Sequence, residues 1–214
     1  MSNIYSKILF LFLGLFFYIG SYSQSTVSIE VMAIGLHPFT KPNLQVYENA
    51  LDIDGLFCVE PGLILSYEAF VWENTVSFQF SQSIYADAAG QMAGFTEISF
   101  RRLFFHKWRS SLYVAIGPTM TYRKSWEFLD GYVEEGGYTK YGTWQVKPWF
   151  IGKLEYDFYV GNHSDIQLGF IYGHEYNTFT ASLGYRYWIS SKVKHSKGCN
   201  CHNKYKKKFK DWFR

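Results

Sequence analysis

Long apolar runs are nearly absent from this sequence. Beyond Ile8–Ile19 no stretch of the 214 residues approaches the ~20 apolar residues that a helix needs to cross a bilayer, which excludes a bundle of membrane helices. Linkers are missing as well. No Pro/Gly/Ser-rich or low-complexity tract divides the chain between Thr26 and Ser190, so one compact unit is expected. Cysteine is sparse: Cys58, Cys199 and Cys201 make an odd count and cannot all pair within one chain.

The N-terminus carries Lys7, the apolar run Ile8–Ile19 and then Ser21-Tyr22-Ser23-Gln24, with small residues spaced as a signal peptidase requires. Residues 1–23 are therefore expected to be a signal peptide cleaved before Gln24. The alternative, an N-terminal membrane anchor, asks for a longer run. The residue directly after the cleavage point is Gln24 and not a cysteine, which argues against a lipid-anchored lipoprotein.

Charge is divided unevenly beneath the total of +3. Residues 192–214 hold nine Lys/Arg and one acid, net +8, whereas 26–189 hold eleven Lys/Arg and seventeen acids, net −6. The division expected is thus a domain over 24–189 and a basic tail over 190–214 on the periplasmic side.

What is abundant is aromatic: 18 Tyr, 20 Phe and 7 Trp, or 21% of the chain. The apolar residues recur at period two, in eight segments near 26–36, 57–71, 75–85, 93–104, 111–123, 143–159, 165–174 and 178–189. In VSFQFSQS, residues 76–83, Val76, Phe78 and Phe80 share one face and Ser77, Gln79, Ser81 and Ser83 the other. Across several segments the polar face carries full charges in mid-strand: Glu30, Glu60, Glu68, Glu97, Arg101, Lys147, Lys153, Glu155 and Arg186.

A soluble sheet with one wet face explains one or two such strands, not eight. If the apolar faces turned inward, Phe78, Phe80, Trp144, Phe150, Tyr156, Phe170 and Tyr185 would overfill a narrow interior. Turned outward they form a lipid belt with interfacial rings. The charges then pair inside, which is the condition for burying them. The expected fold is all-β: an eight-stranded antiparallel up-and-down transmembrane β-barrel. Its lumen charge network comprises Glu30, Glu60, Glu97, Arg101, Lys147, Lys153, Glu155 and Arg186.

Connections alternate long and short, as outer-membrane barrels require, which puts both ends of the barrel in the periplasm. The long ones are 37–56, 86–92 and 124–142, the last outer one near 175–177 is short, and tight turns are expected at 72–74, 105–110 and 160–164. Pro61, Pro118 and Pro148 fall inside segments, where each loses a ladder hydrogen bond, and bulges are expected there.

These features resemble the small eight-stranded outer-membrane barrel family, the group that includes the OmpA membrane domain and OmpX-like proteins. The resemblance covers about Thr26–Ile189 and includes a last strand, FTASLGYRYWI, similar to the aromatic-rich signal that the barrel assembly machinery takes up. It implies an outer-membrane location of the Gram-negative type, contact with outer-membrane lipid and lipopolysaccharide, and a role as anchor, adhesion or defence protein. In a minority of such barrels it implies an enzyme acting on outer-leaflet lipid.

Eight strands leave an interior just wide enough for side chains, so a general pore is not expected. The reading is a non-enzymatic barrel with a structural or surface-interaction role through its external loops, without cofactor, metal or catalytic residue. Those loops carry Glu48, Asp52, Asp54, Glu127, Asp130, Glu134 and Glu135 beside Trp126, Phe128, Tyr132 and Tyr138, a surface for protein partners or for divalent cations between lipopolysaccharides.

One alternative is a lipid A-modifying enzyme of deacylase or acyltransferase type, for which His174 with Glu175, Tyr176, Asn177 and Thr178, and His37, are the candidates. His163-Ser164-Asp165 occupies an inner turn, away from surface lipid. A second alternative, a soluble lipocalin-like barrel, wants an apolar lumen. In the tail, His195, Cys199, Cys201 and His202 are metal-ligand types at a spacing tighter than the usual zinc pattern, and metal and disulfide both stay open. KYKKKFK (204–210) suits anionic head groups or an acidic periplasmic partner; export argues against nucleic acid.

Overall fold

Alternating apolar and polar residues keep the backbone extended, and extended segments whose one face is greasy need every peptide group paired once they enter hydrocarbon. The computed structural model describes residues 24–39, 41–72, 75–134, 137–161, 163–175 and 177–189; the expected leader and tail and the tip of the 72–74 turn lie outside them. Nine strands form: β1 (Ser25–Leu36), β2 (Phe57–Trp72), β3 (Val76–Ala86), β4 (Met92–Lys107), β5 (Ser110–Lys124), β6 (Thr139–Tyr141), β7 (Trp144–Gly161), β8 (Ser164–Tyr172) and β9 (Phe179–Trp188). Two short 3-10 turns, Lys41–Val46 and Trp126–Phe128, are the only helical elements among the described residues.

Each barrel strand pairs antiparallel with its successor, β5 passes directly to β7, and β9 returns to β1. The result is a closed ring of eight, with β6 a short hairpin partner of β7 outside it. Closure removes the open edges that hydrocarbon would not tolerate. The eight expected segments are the eight ring strands.

Sidedness follows the pleat. On β3, Phe78 and Phe80 are 47% and 44% exposed while Ser77, Gln79 and Ser81 are fully buried. The outward residues of the other strands, among them Ile29, Leu65, Ile116, Phe150, Leu168 and Tyr185, are likewise exposed. The fold is that of a transmembrane barrel, the inverse of a lipocalin.

The long links 37–56, 87–91 and 125–143 and the short link 173–178 meet at one end. The other end holds the turns 73–75, 108–109 and 162–163 and both ring termini, Ser25 and Trp188.

Of the three prolines only Pro61 sits at a bulge: Met32 pairs with Gly62 and Ile34 with Val59, so β2 spends an extra residue there. The bulges expected at Pro118 and Pro148 are absent. Pro118 and Pro148 stay in unbroken register opposite Phe150 and Met120. The β4–β5 ladder simply lacks its rungs at Gly117 and Pro118 without shifting, and Pro148 lies beyond Gly152, where β8 stops pairing with β7. A missing N–H is cheap where no partner awaits it.

The interior also departs from a uniform charge network. Met32, Ile64, Tyr85, Ala93, Phe95, Ile151 and Ile171 face inward and form an apolar layer across the lumen. Along β2 the inward residues run Glu68, Ser66, Ile64, Gly62, Glu60, and along β7 Asp157, Glu155, Lys153, Ile151, Trp149, Lys147. The layer therefore separates two polar groups.

Candidate functional site

The polar group nearer the short turns is built on two arginines. Arg101 on β4 donates from Nη1 to Glu68 at 2.9 Å, from Nη2 to Asp157 at 2.6 Å and from Nε to Glu155, and its guanidinium lies 3.5 Å from the centre of the Tyr113 ring. Arg186 on β9 reaches Glu155 from Nη2 at 3.3 Å and Asp157 from Nη1. One step toward the apolar layer, Lys153 pairs with Glu97, which also accepts from Ser81 at 2.8 Å. Glu30 accepts from Ser182 at 2.6 Å. All these side chains are buried. An isolated ion there would cost of order 20 kcal/mol in the Born limit, so the multiple, charge-assisted contacts are what make the burial possible.

Beyond the apolar layer, at the long-loop end, Glu60 sits between two imidazoles. Nε2 of His37 lies 2.8 Å from Glu60 Oε1, and Nε2 of His174 lies 3.2 Å from Oε2. Thr178 Oγ1 is 3.0 Å from Nδ1 of His174. Glu175 receives Arg123 Nη1 at 3.3 Å, and Arg123 Nε donates to Gln145 at 3.1 Å. The Arg123 guanidinium stacks 3.6 Å from the Trp126 ring centre and 4.1 Å from that of Tyr138.

A cap closes this end. Val46, Tyr47, Cys58, Ala88, Ala89 and Trp126 pack together, drawing three of the long links inward. Trp126 Nε1 donates to Asp87 at 2.7 Å, and Asp87 also accepts from the backbone N–H of Gln91 at 2.7 Å and Ala89 at 3.1 Å. Burial pushes the Asp87 carboxyl up to about 6, against the pull of Trp126, Gln91 and Arg123. In the 37–56 link, the backbone N–H groups of Phe57 and Leu56 hold the Asp52 carboxyl below its usual range.

The eight expected lumen charges thus fall into separate groups. Arg101, Glu155 and Arg186 meet directly, Glu97 and Lys153 form a neighbouring pair, and Glu30 stands against Ser182. Glu60 belongs with the histidines. Lys147 lies at the loop end, 5.1 Å from the Tyr138 ring centre. Asp157 completes the arginine group and shares the strand parity of Lys153 and Glu155, a signal the sequence offers. Asp87 lies in a link, where parity says nothing.

Thr178, His174 and Glu60 make a hydroxyl–imidazole–carboxylate chain, the order of an activated nucleophile. Thr178 is 1% exposed and His174 and Glu60 are fully buried. His163-Ser164-Asp165 is no triad: Ser164 bonds Tyr185 at 2.5 Å, and Asp165 accepts from Trp188 Nε1 at 2.6 Å.

Neither a family model nor a curated protein matches the sequence. Among solved structures, Ail of Yersinia pestis aligns at 13% identity over 78% of this chain and 97% of its own, with a TM-score of 0.46. Neisserial surface protein A aligns at 11% over 77% and 96%, TM-score 0.49. The N-terminal barrel domain of Pseudomonas aeruginosa OprF aligns at 14% over 78% and 99%, TM-score 0.43. The fold assignment rests on the closed ladder ring and on its sidedness. On that ground the chain has the fold of the small eight-stranded outer-membrane β-barrels.

Proposed function

We propose that the protein is a non-enzymatic outer-membrane barrel that anchors a surface-interaction platform, with its long links facing outward and its short turns in the periplasm. The observation that carries this reading is the stoppered lumen. Paired charges, an apolar layer, the Glu60 group and the Trp126 cap follow one another along the axis, so a conducting path is not expected. What remains to meet the exterior is the loop surface. There Phe39, Ile53 and Phe128 are 69%, 96% and 73% exposed, and the acids Glu127, Asp130 and Glu134 are exposed as well. Exposed apolar groups rimmed by charge suit a protein partner, and the belt suits outer-membrane lipid and lipopolysaccharide.

The rival reading, an outer-leaflet lipid-modifying enzyme, draws on the Thr178–His174–Glu60 chain. Hydrolysis or acyl transfer on labelled lipopolysaccharide, compared between the intact protein and His174→Ala, separates the two. The platform reading expects no turnover from either; turnover lost in the variant overturns it. Unboiled and boiled samples of the outer-membrane fraction, run on one gel, test the location. Identical migration together with recovery in the soluble fraction would end the membrane reading.

A further inference from the structure

A buried carboxylate normally finds an arginine, a lysine or several N–H donors. Glu60 finds two imidazoles. Beside them stands a second carboxylate, Glu175, and one donor atom from each of His37, Glu60 and Glu175 lies within 4.8 Å of the others. All three residues are buried.

We propose that His37, Glu60 and Glu175 form a site for one divalent transition-metal ion of the zinc class, with His174 positioning Glu60. Imidazole nitrogen and carboxylate oxygen are the borderline donors such an ion takes. At metal–ligand distances of about 2.0–2.2 Å, two donors on a tetrahedral ion stand roughly 3.3 Å apart. His37 Nε2 and Glu60 Oε1 are at 2.8 Å, so a shift of a few tenths of an ångström admits the ion between them. Arg123 reaches Glu175, and a dication would serve both carboxylates at once.

Two further features are those of a built site. The Glu60 carboxylate lies where a Cβ on residue 35 would stand, so Gly35 leaves the space that Glu60 fills. His174 approaches the other oxygen of Glu60 while Thr178 engages its Nδ1, the outer-shell arrangement that fixes a ligand's orientation. The three donors come from the first residue after β1, from β2 and from the 173–178 link, so the ion would tie that link to the barrel wall. Because the cap covers the site, loading belongs to refolding and not to soaking.

The test uses the full chain carrying Cys199→Ser, Cys201→Ser, His195→Ala and His202→Ala, which removes the tail's ligand types as competitors, refolded with zinc or cobalt(II) ions. The folded barrel, recognised by heat-dependent gel mobility, should retain one equivalent after dialysis. The cobalt spectrum should lack a thiolate charge-transfer band, and zinc X-ray absorption should carry an imidazole signature without a sulfur scatterer. His37→Ala and Glu60→Gln should retain less than a tenth of that metal, and His174→Ala should weaken binding about 10–100-fold, as outer-shell changes do. Retention of no metal by the folded parent chain overturns the proposal. So does a sulfur scatterer, or full retention by a folded His37→Ala chain. If the variants fail to fold, the parent's X-ray absorption decides alone.

Discussion

Gly35 and Glu60 occupy one volume: a Cβ at position 35 would overlap Oε2 of Glu60 and stand 3.0 Å from Nε2 of His37. The β2 bulge at Pro61 lies beside this point, so the wall is already locally irregular where the carboxylate folds against it. Gly35→Ala should therefore expel Glu60 from between its two imidazoles. Stranding a buried charge costs about 3–5 kcal/mol. Denaturant unfolding in lipid should show a loss of that order; a loss under 1 kcal/mol would mean that the carboxylate has another place to go.

Lys153 and Glu97 offer a cleaner measure of what pairing contributes. Both are buried, and they lie on β7 and β4, joined through β5. Lys153→Met alone leaves Glu97 without its cation and should cost about 3–5 kcal/mol. The double change Lys153→Met with Glu97→Gln removes both ions and should cost clearly less than the sum of the two single changes. Additive losses in the double-mutant cycle would show that the two charges do not depend on each other.

The face on which each of these residues lies was legible in the sequence, and its height was not. Period two places Glu60, Glu97 and Lys153 inside alike, because a pleat reports only in or out. Which charges meet depends on the stagger between strands, which hydrogen-bond register sets. Hence Glu60 shared a single expected network with Arg101, although Ile64 on the same strand separates their levels. The histidines near Glu60 stood out as letters, but nothing local in sequence joins His37 to His174. The cap was illegible for a plainer reason: Asp87 and Trp126 lie in links, where no periodicity exists to read. A lost N–H does not by itself require a bulge, and Pro118 and Pro148 lose little in the places they occupy.

The cap should be sensitive to acid in an unusual direction. Burial raises the Asp87 carboxyl to about 6, compared with about 4 for an ordinary aspartate. Between those values the folded cap holds a proton that the opened cap releases, so stability falls as pH rises through the window. The full effect is about 3 kcal/mol, complete above the folded value. Protease cleavage within 125–134 should be slower at pH 5 than at pH 7, after correction for the protease's own profile. Asp87→Asn should flatten that difference, its single amide oxygen serving either Trp126 or the backbone N–H groups of Ala89 and Gln91. A variant with the parent's full pH dependence would place the titrating group elsewhere.

Sidedness can be tested by moving one charge. Ile116, in the middle of β5, is 62% exposed on the belt, and Ile53, in the 37–56 link, is 96% exposed. In water the two positions would be alike, and lysine at either would change stability by no more than about 0.5 kcal/mol. In a bilayer they differ, since a lysine at the midplane of a barrel's lipid face costs about 2–4 kcal/mol. Unfolding of Ile116→Lys and Ile53→Lys from lipid vesicles should separate them by that margin, with Ile53→Lys close to the parent. Equal, small losses would mean that water, not hydrocarbon, meets β5, and the charges gathered around Arg101 would then need another reason to lie inside.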